Sequence, residues 1–267
     1  MLTIDRGRAI VEKRQILRLL VVRDLKVRYS RSALGYVWTV LDPLLMSTVY
    51  WLVFGVIFGG ARGRHSPQPY IVFLVSGVLV WQWFSGAVTD MTRALLQEAK
   101  LVRSTNLPRE IWVVKIVLAK GVEFLLAMPV IAIFMILNRK GPELDALWNW
   151  PLAILLQAVL LTGIGLVLAP AAALVTDLQR VVRILLRILM YLSPVVYAIA
   201  QIPDKYHLRE LIALNPMTGI LDLYRRGIFE TAAPWHTVLT SVGVCFGVLF
   251  LGMWVFRRLE PAVLKEI

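Results

Sequence analysis

The sequence predicts an all-α integral membrane protein. Six transmembrane helices are expected, with an N-terminal surface helix, a short cytoplasmic helix and re-entrant helices on the outer side. Three observations carry this expectation. The chain is 58% hydrophobic with a mean hydropathy of +0.71, far from the make-up of a soluble domain. Its apolar residues fall in runs near the roughly 20 residues that cross a bilayer. Its 29 Lys and Arg sit between those runs, concentrated on alternate connections.

The first 35 residues form a cytoplasmic surface segment. Arg6, Arg8, Lys13, Arg14, Arg18, Arg23, Lys26, Arg28 and Arg31 precede the first long apolar run, and the longest apolar stretch among them, Leu19 to Val22, cannot span. Basic residues abutting a span stay on the cytoplasmic side. No h-region with a cleavage site follows, so the first span is expected to act as an uncleaved anchor. Residues 36–256 make up the six-span region: Tyr36 to Phe58, Tyr70 to Val88, Ile116 to Leu137, Pro151 to Val175, Val181 to Ala200 and Val238 to Phe256. Residues 257–267 are then a cytoplasmic tail, and residues 1–267 one membrane domain. With this threading 21 of the 29 basic residues lie inside and eight outside, which places both termini in the cytoplasm.

Two connections are too long to be plain loops. On the inner side, Met91 to Val102 is rich in helix formers and stops before Ser104-Thr105-Asn106-Leu107-Pro108. Thr105 or Asn106 is positioned to cap a helix starting near Pro108. On the outer side, Gln201 to Trp235 holds apolar pieces too short to span, Leu211-Ile212-Ala213-Leu214 and Met217 to Phe229, around Asn215-Pro216. Such pieces lie either on headgroups or as re-entrant helices buried in protein.

Chemistry is sparse. The chain carries no phosphate-cradling G-x-x-x-x-G-K-[ST] loop, no G-x-S-x-G elbow and no H-E-x-x-H, so no catalytic residues are assigned. No metal site is expected: Cys245 is alone, and His65, His207 and His236 lack ligand spacing. The +12 charge invites a nucleic-acid partner, but a basic face on a soluble fold is missing, and none is expected. Asp42 lies at the inner end of the first span. Lys120 and Glu123, three apart, can pair on one helix face, as a snorkelling pair or as part of a proton relay. Arg180, Arg183 and Arg187 share a face at the start of the fifth span. Their guanidinium forks suit a lipid pyrophosphate, while inner-end arginines also follow from orientation alone. Trp38, Trp112, Trp254, Trp148, Trp150 and Trp235 fit interfacial belts. Tyr50, Trp51, Trp81, Trp83 and Phe84 lie deeper, where they line a glycan path or simply pack.

Four motifs in order resemble one family. They are Arg23-Asp24-Leu25-Lys26-Val27-Arg28-Tyr29 with Leu34-Gly35-Tyr36-Val37-Trp38 and Asp42-Pro43-Leu44; Asn106-Leu107-Pro108-Arg109-Glu110; Asp177-Leu178-Gln179-Arg180 with Ser193-Pro194-Val195-Val196-Tyr197; and Leu214-Asn215-Pro216-Met217-Thr218 with Tyr224-Arg225. Together they resemble the membrane permease of type-2 ABC transporters that export polysaccharides such as O-antigen, teichoic acid, capsule and galactan. The resemblance implies a homodimer in the bacterial inner membrane, bound to two copies of a separate nucleotide-binding ATPase. That partner would use the ATP and Mg, and this chain would bind no cofactor and hydrolyse nothing itself. It also implies a lipid-linked polysaccharide as cargo, with membrane lipid around the dimer. Residues 11–28 and 91–106 would face the ATPase, with Glu98, Lys100 and Arg103 as coupling candidates. Ile16, Leu19, Leu20 and Val27 share one face of that first helix, although Arg23 falls among them. A drug or small-lipid exporter of the same architecture is the alternative, followed by a membrane-bound glycosyltransferase or phosphatase.

Overall fold

A computed structural model describes residues 12–30, 34–57, 69–202, 208–229 and 234–266. Arg6, Arg8, Arg31, Arg62, Arg64, His65, Lys205 and His207 lie outside the described residues. The elements are α1 (Arg14–Tyr29), α2 (Trp38–Tyr50), α3 (Tyr70–Met91), α4 (Ala94–Gln97), α5 (Ala99–Ser104), α6 (Ile111–Leu137), α7 (Ala146–Leu174), α8 (Leu178–Leu192), α9 (Leu208–Ala213), α10 (Pro216–Arg226) and α11 (Trp235–Glu266). A 3-10 turn, Gly35–Val37, leads into α2 and a π-helical stretch, Trp51–Ile57, follows it. No strand occurs among the described residues.

Five stretches among the described residues are long and apolar enough to cross a membrane: Gly35–Val53, Tyr70–Met91, Ile111–Leu137, Ala146–Leu174 and Trp235–Glu266. The expected fifth span, Val181 to Ala200, is not one helix. α8 has 15 residues, about 22 Å at 1.5 Å per residue against a core of about 30 Å. It stops because Pro194 forces the preceding Ser193 into an extended conformation, with φ −97° and ψ 142°. Other boundaries shift too. α6 and α7 begin at Ile111 and Ala146, about a turn before the expected starts. α11 continues without a break from Trp235 to Glu266, so residues after Phe256 extend the last helix rather than form a separate tail.

α3 is the central post. Val72 to Trp81 are buried in unbroken sequence, with Trp83, Phe84, Ala87, Val88 and Met91 continuing the core. α2, α6, α7, α8 and α10 pack around it. α7 and α11 make the most intimate pair in the bundle, and glycine is the reason. A Cβ at Gly163 would stand 2.7 Å from the Leu249 backbone nitrogen, and one at Gly252 would collide with the Gly163 carbonyl. Small residues let two membrane helices approach backbone to backbone, where van der Waals packing replaces the missing hydrophobic drive.

α10 is the other buried element. Asn215 caps it by accepting from the Met217 N–H at 3.0 Å, with Pro216 preset at the first helical position. Its residues Met217 to Arg225 are buried against α3, α7 and α11. The short apolar pieces of this connection are therefore two helices, α9 and α10.

Candidate functional site

The chemistry concentrates at the end of the bundle that carries α1. That helix lies against α6 through Leu17, Val21 and Leu25, a stripe at spacings of four. This corrects the expected face: Ile16, Leu19 and Val27 are exposed and Leu20 is half-buried. The apolar stripe wins because it is continuous with Asp24 and Arg28, and both find opposite charges on the bundle.

Two ion-pair clusters result. In the first, the Lys115 ammonium of α6 lies 2.9 Å from Asp24 Oδ2 and 2.8 Å from Glu98 Oε1. Its side chain is only 4% exposed. Arg23 donates to Asp24 Oδ1 at 3.2 Å and pairs with Glu98 as well. In the second, Arg28 Nη2 donates to Asp90 Oδ2 at 2.8 Å, and its Nε lies 3.2 Å from Glu123 Oε1. Lys120 Nζ completes the set, 2.9 Å from Glu123 Oε2 and 3.6 Å from Asp90 Oδ2. Each cluster holds two cations and two carboxylates and is formally neutral.

Electrostatics follow from this geometry. Burial by itself would lower the Arg28 guanidinium, but its hydrogen bond to Asp90 and the Glu123 charge outweigh that and raise it. Burial, reinforced by Glu123, pushes the neighbouring Tyr29 phenol well above its usual range. The arrangement clasps α1 to α3, α6 and the α4–α5 connection through charge-assisted contacts. The two clusters thereby link α1 to three other elements at once.

The clasp revises several expectations. Lys120 and Glu123 do pair, within a four-charge cluster rather than as an isolated snorkelling pair. Glu98 is not a surface position, because it is largely buried against Lys115 and Arg23; Lys100 and Arg103 are exposed. The expected single helix over Met91 to Val102 is broken into α4 and α5 at Glu98, whose φ is −108°. Thr105 and Asn106 do not cap α6. The Thr105 hydroxyl donates back to the Leu101 carbonyl at 2.7 Å, and Glu110 holds the N-cap position without capping the first-turn N–H groups through its side chain.

Arg180, Arg183 and Arg187 are exposed on α8, opposite its buried Val182 and Leu186. Arg183 Nε donates to the Gln179 carbonyl at 3.3 Å. Arg93 reaches the Gln179 side chain at 3.3 Å, which ties the connection after α3 to the start of α8.

The five deep aromatics are divided among separate contacts within this chain. Trp81 and Phe84 pack on each other with ring centroids 5.2 Å apart, while Trp83 stacks on Phe124 at 5.0 Å. All three are buried within this one chain. The Tyr50 hydroxyl contacts Met190 Sδ at 3.7 Å, and Trp51 is exposed. Two of the tryptophans expected in interfacial belts are held by partners within the chain. Trp112 is fully buried, and half-buried Trp150 donates its indole N–H to the Tyr224 carbonyl at 2.9 Å.

Arg225 was counted from the sequence as an outer-loop charge. It is instead buried, donating to the Pro194 and Val195 carbonyls at 2.6 and 2.7 Å with its guanidinium 3.5 Å from the centre of the Phe73 ring. It ties α10 to the break after α8. Its place beside Tyr224 in the fourth motif was the one signal available; nothing local marks it as buried.

Membrane-length helices around a buried post, with a surface helix ion-paired to their ends, define a multi-pass α-helical membrane protein. The chain belongs to the ABC-2 type transporter family, whose model matches residues 15–229. It is 30% identical over 249 residues to the O-antigen export system permease protein RfbA of Klebsiella pneumoniae, covering 91% of this chain and 92% of the relative. A protein of the same name from Myxococcus xanthus is 28% identical, with 85% of each chain covered. The polysialic acid transport protein KpsM of Escherichia coli is 24% identical, over 92% of this chain and 94% of that one.

Proposed function

We propose that this chain is the permease subunit of an ATP-driven exporter that moves a lipid-linked polysaccharide, of O-antigen or galactan type, across the bacterial inner membrane. The observation that carries the reading is the end-to-end match to relatives named for polysaccharide export. A partial match would leave the cargo open; coverage above nine-tenths of both chains includes every element that could shape a path.

The chain acts as a homodimer with two copies of a separate ATPase, and both termini face the cytoplasm. The clasp supports this division of labour, because α1 and the α4–α5 connection form one ion-paired surface with Lys100 and Arg103 free on it. ATP-driven movement of the partner shifts that surface, and α3 and α6 shift with it through Asp90, Lys115 and Glu123. The exposed apolar residues of α2 and α8, Leu45, Val49, Ile184 and Ile188 among them, meet lipid or the second copy. The arginines of α8 receive the lipid pyrophosphate.

Depletion of the protein in its native host tests the reading. Lipid-linked glycan is expected to accumulate on the cytoplasmic side, and a nucleotide-binding subunit is expected to co-purify with the tagged permease. Unchanged surface glycan after depletion would overturn it.

A further inference from the structure

Gln179 holds two arginines from different elements. The Nε of Arg93, on the connection after α3, donates to Gln179 Oε1 at 3.3 Å. The Nε of Arg183 donates to the Gln179 backbone carbonyl, also at 3.3 Å. Each guanidinium uses one N–H on this residue, and its Nη groups make no hydrogen bond among the described residues. Arg180 and Arg187 share the face of α8 that carries Arg183, with Arg187 one turn further on, about 6 Å at 1.5 Å per residue.

This set differs from the clasp in charge. Every clasp cation meets a carboxylate, whereas Arg93, Arg180, Arg183 and Arg187 are exposed and make no ion pair among the described residues. Asp177, the acidic residue nearest in sequence, precedes Gln179 by two positions and so lies on the far side of the helix start. Val181, Ile184 and Ile188 are exposed beside the arginines around α8. A carboxylate or a phosphodiester brings one anionic group and fits one guanidinium fork. A diphosphate brings two phosphoryl groups, one for Arg93 and one for Arg183. Free diphosphate would leave the three apolar side chains uncovered, while one esterified to a hydrocarbon chain covers them too.

We propose that Arg93 and Arg183 form a two-arginine site for the diphosphate of a lipid-linked cargo, with Gln179 as the residue that positions both. The proposal rests on the polysaccharide-export reading and adds to it a binding residue outside α8. Arg93 directly precedes α4, and Glu98, which follows α4, belongs to the clasp. A headgroup held by both arginines bridges α8 to the connection that carries Glu98, Lys100 and Arg103. Cargo contact and the ATPase-facing surface thus share one short segment of chain.

The test is binding of tritiated farnesyl diphosphate to the full-length permease in phosphatidylcholine nanodiscs, with farnesyl monophosphate, sodium pyrophosphate and phosphatidylglycerol as competitors. Farnesyl diphosphate is expected to bind about tenfold tighter than the monophosphate, the worth of one charge-assisted hydrogen bond. Arg93→Lys keeps the charge and loses the fork, so it should erase that preference while monophosphate binding stays within about threefold. Gln179→Leu takes the acceptor from Arg93 and leaves the backbone carbonyl for Arg183, and should cut the preference about threefold. Both positions lie on the surface, where the fold tolerates substitution. Absence of binding, equal affinity for the two farnesyl phosphates, or an unchanged preference in Arg93→Lys would overturn the proposal. Full displacement by phosphatidylglycerol would do the same and mark a general anionic-lipid surface, and full displacement by equimolar pyrophosphate would remove the lipid from the site. Those results would leave export itself standing if depletion still traps lipid-linked glycan in the cell. Unchanged surface glycan on depletion would remove the export reading and this proposal together.

Discussion

Lys115→Met removes the only α6 cation that touches both Asp24 and Glu98, while filling nearly the same volume. Breaking a buried ion pair from one side costs about 3–5 kcal/mol, because the abandoned charge stays desolvated. Here the cost is smaller. Asp24 and Glu98 keep Arg23 as a partner, and their side chains retain 23% and 16% exposure. About 2 kcal/mol is the expected loss, concentrated in the hold of α1 on the bundle. At 1.4 kcal/mol per factor of ten this is about a 30-fold rise in local opening. Amide hydrogen exchange reads that opening directly. The α1 amides should exchange about 30-fold faster in Lys115→Met, with α7 and α11 unchanged because their contact is made by glycines remote from the clasp. Exchange in α1 within threefold of wild type would refute the clasp as the feature holding the helix. A uniform rise in all helices would instead assign Lys115 to global stability. Adding Glu98→Gln to Lys115→Met should cost less than the two singles summed, since the pair is shared.

Other outcomes follow from exposed residues. Arg183→Lys with Arg187→Lys keeps the charge and loses the planar fork, so export at matched permease levels should fall if these residues hold pyrophosphate; full export would leave them as orienting charges. Lys100→Glu and Arg103→Glu sit on the surface, where effects on folding stay within about 0.5 kcal/mol. Hydrolysis in the complex should continue while export drops, and unchanged coupling in both variants would place the ATPase elsewhere. Reporter fusions at Lys140 and Lys265 should read outside and inside, and the reverse at either site would sink the threading.

What could be read along the chain was whatever is decided locally. Apolar runs near membrane length located five of the expected spans and put their starts within about a turn and a half, although the last helix runs on past the expected end at Phe256 to Glu266, because transfer into lipid sums over neighbouring residues. Asn215-Pro216 marked the start of α10 for an equally local reason: a cap followed by proline. The exclusion of nucleotide and hydrolase motifs was likewise a statement about contiguous residues. The motifs that pointed to the family were legible too, since each lies within a short window.

The buried face of α1 was not legible. Ile16, Leu19, Leu20 and Val27 form as good an apolar face as Leu17, Val21 and Leu25, and the choice fell to Asp90, Lys115 and Glu123 on other elements. The same holds for Glu98, which reads as a surface residue until Lys115 and Arg23 are brought against it. Arg225 looked like a loop charge until α10 folded inward and gave it two carbonyls and the Phe73 ring. The aromatics of α3 divided for a related reason: Trp81 and Phe84, three apart, share a face and pack together, while Trp83, two residues from Trp81, faces Phe124 on α6. Sequence alone thus determined that this protein is a helical membrane protein and roughly where its helices run, because helix formation and lipid transfer depend on nearby residues. Tertiary structure decided which charges are buried and which face of α1 docks, because pairing and burial depend on partners distant in the chain.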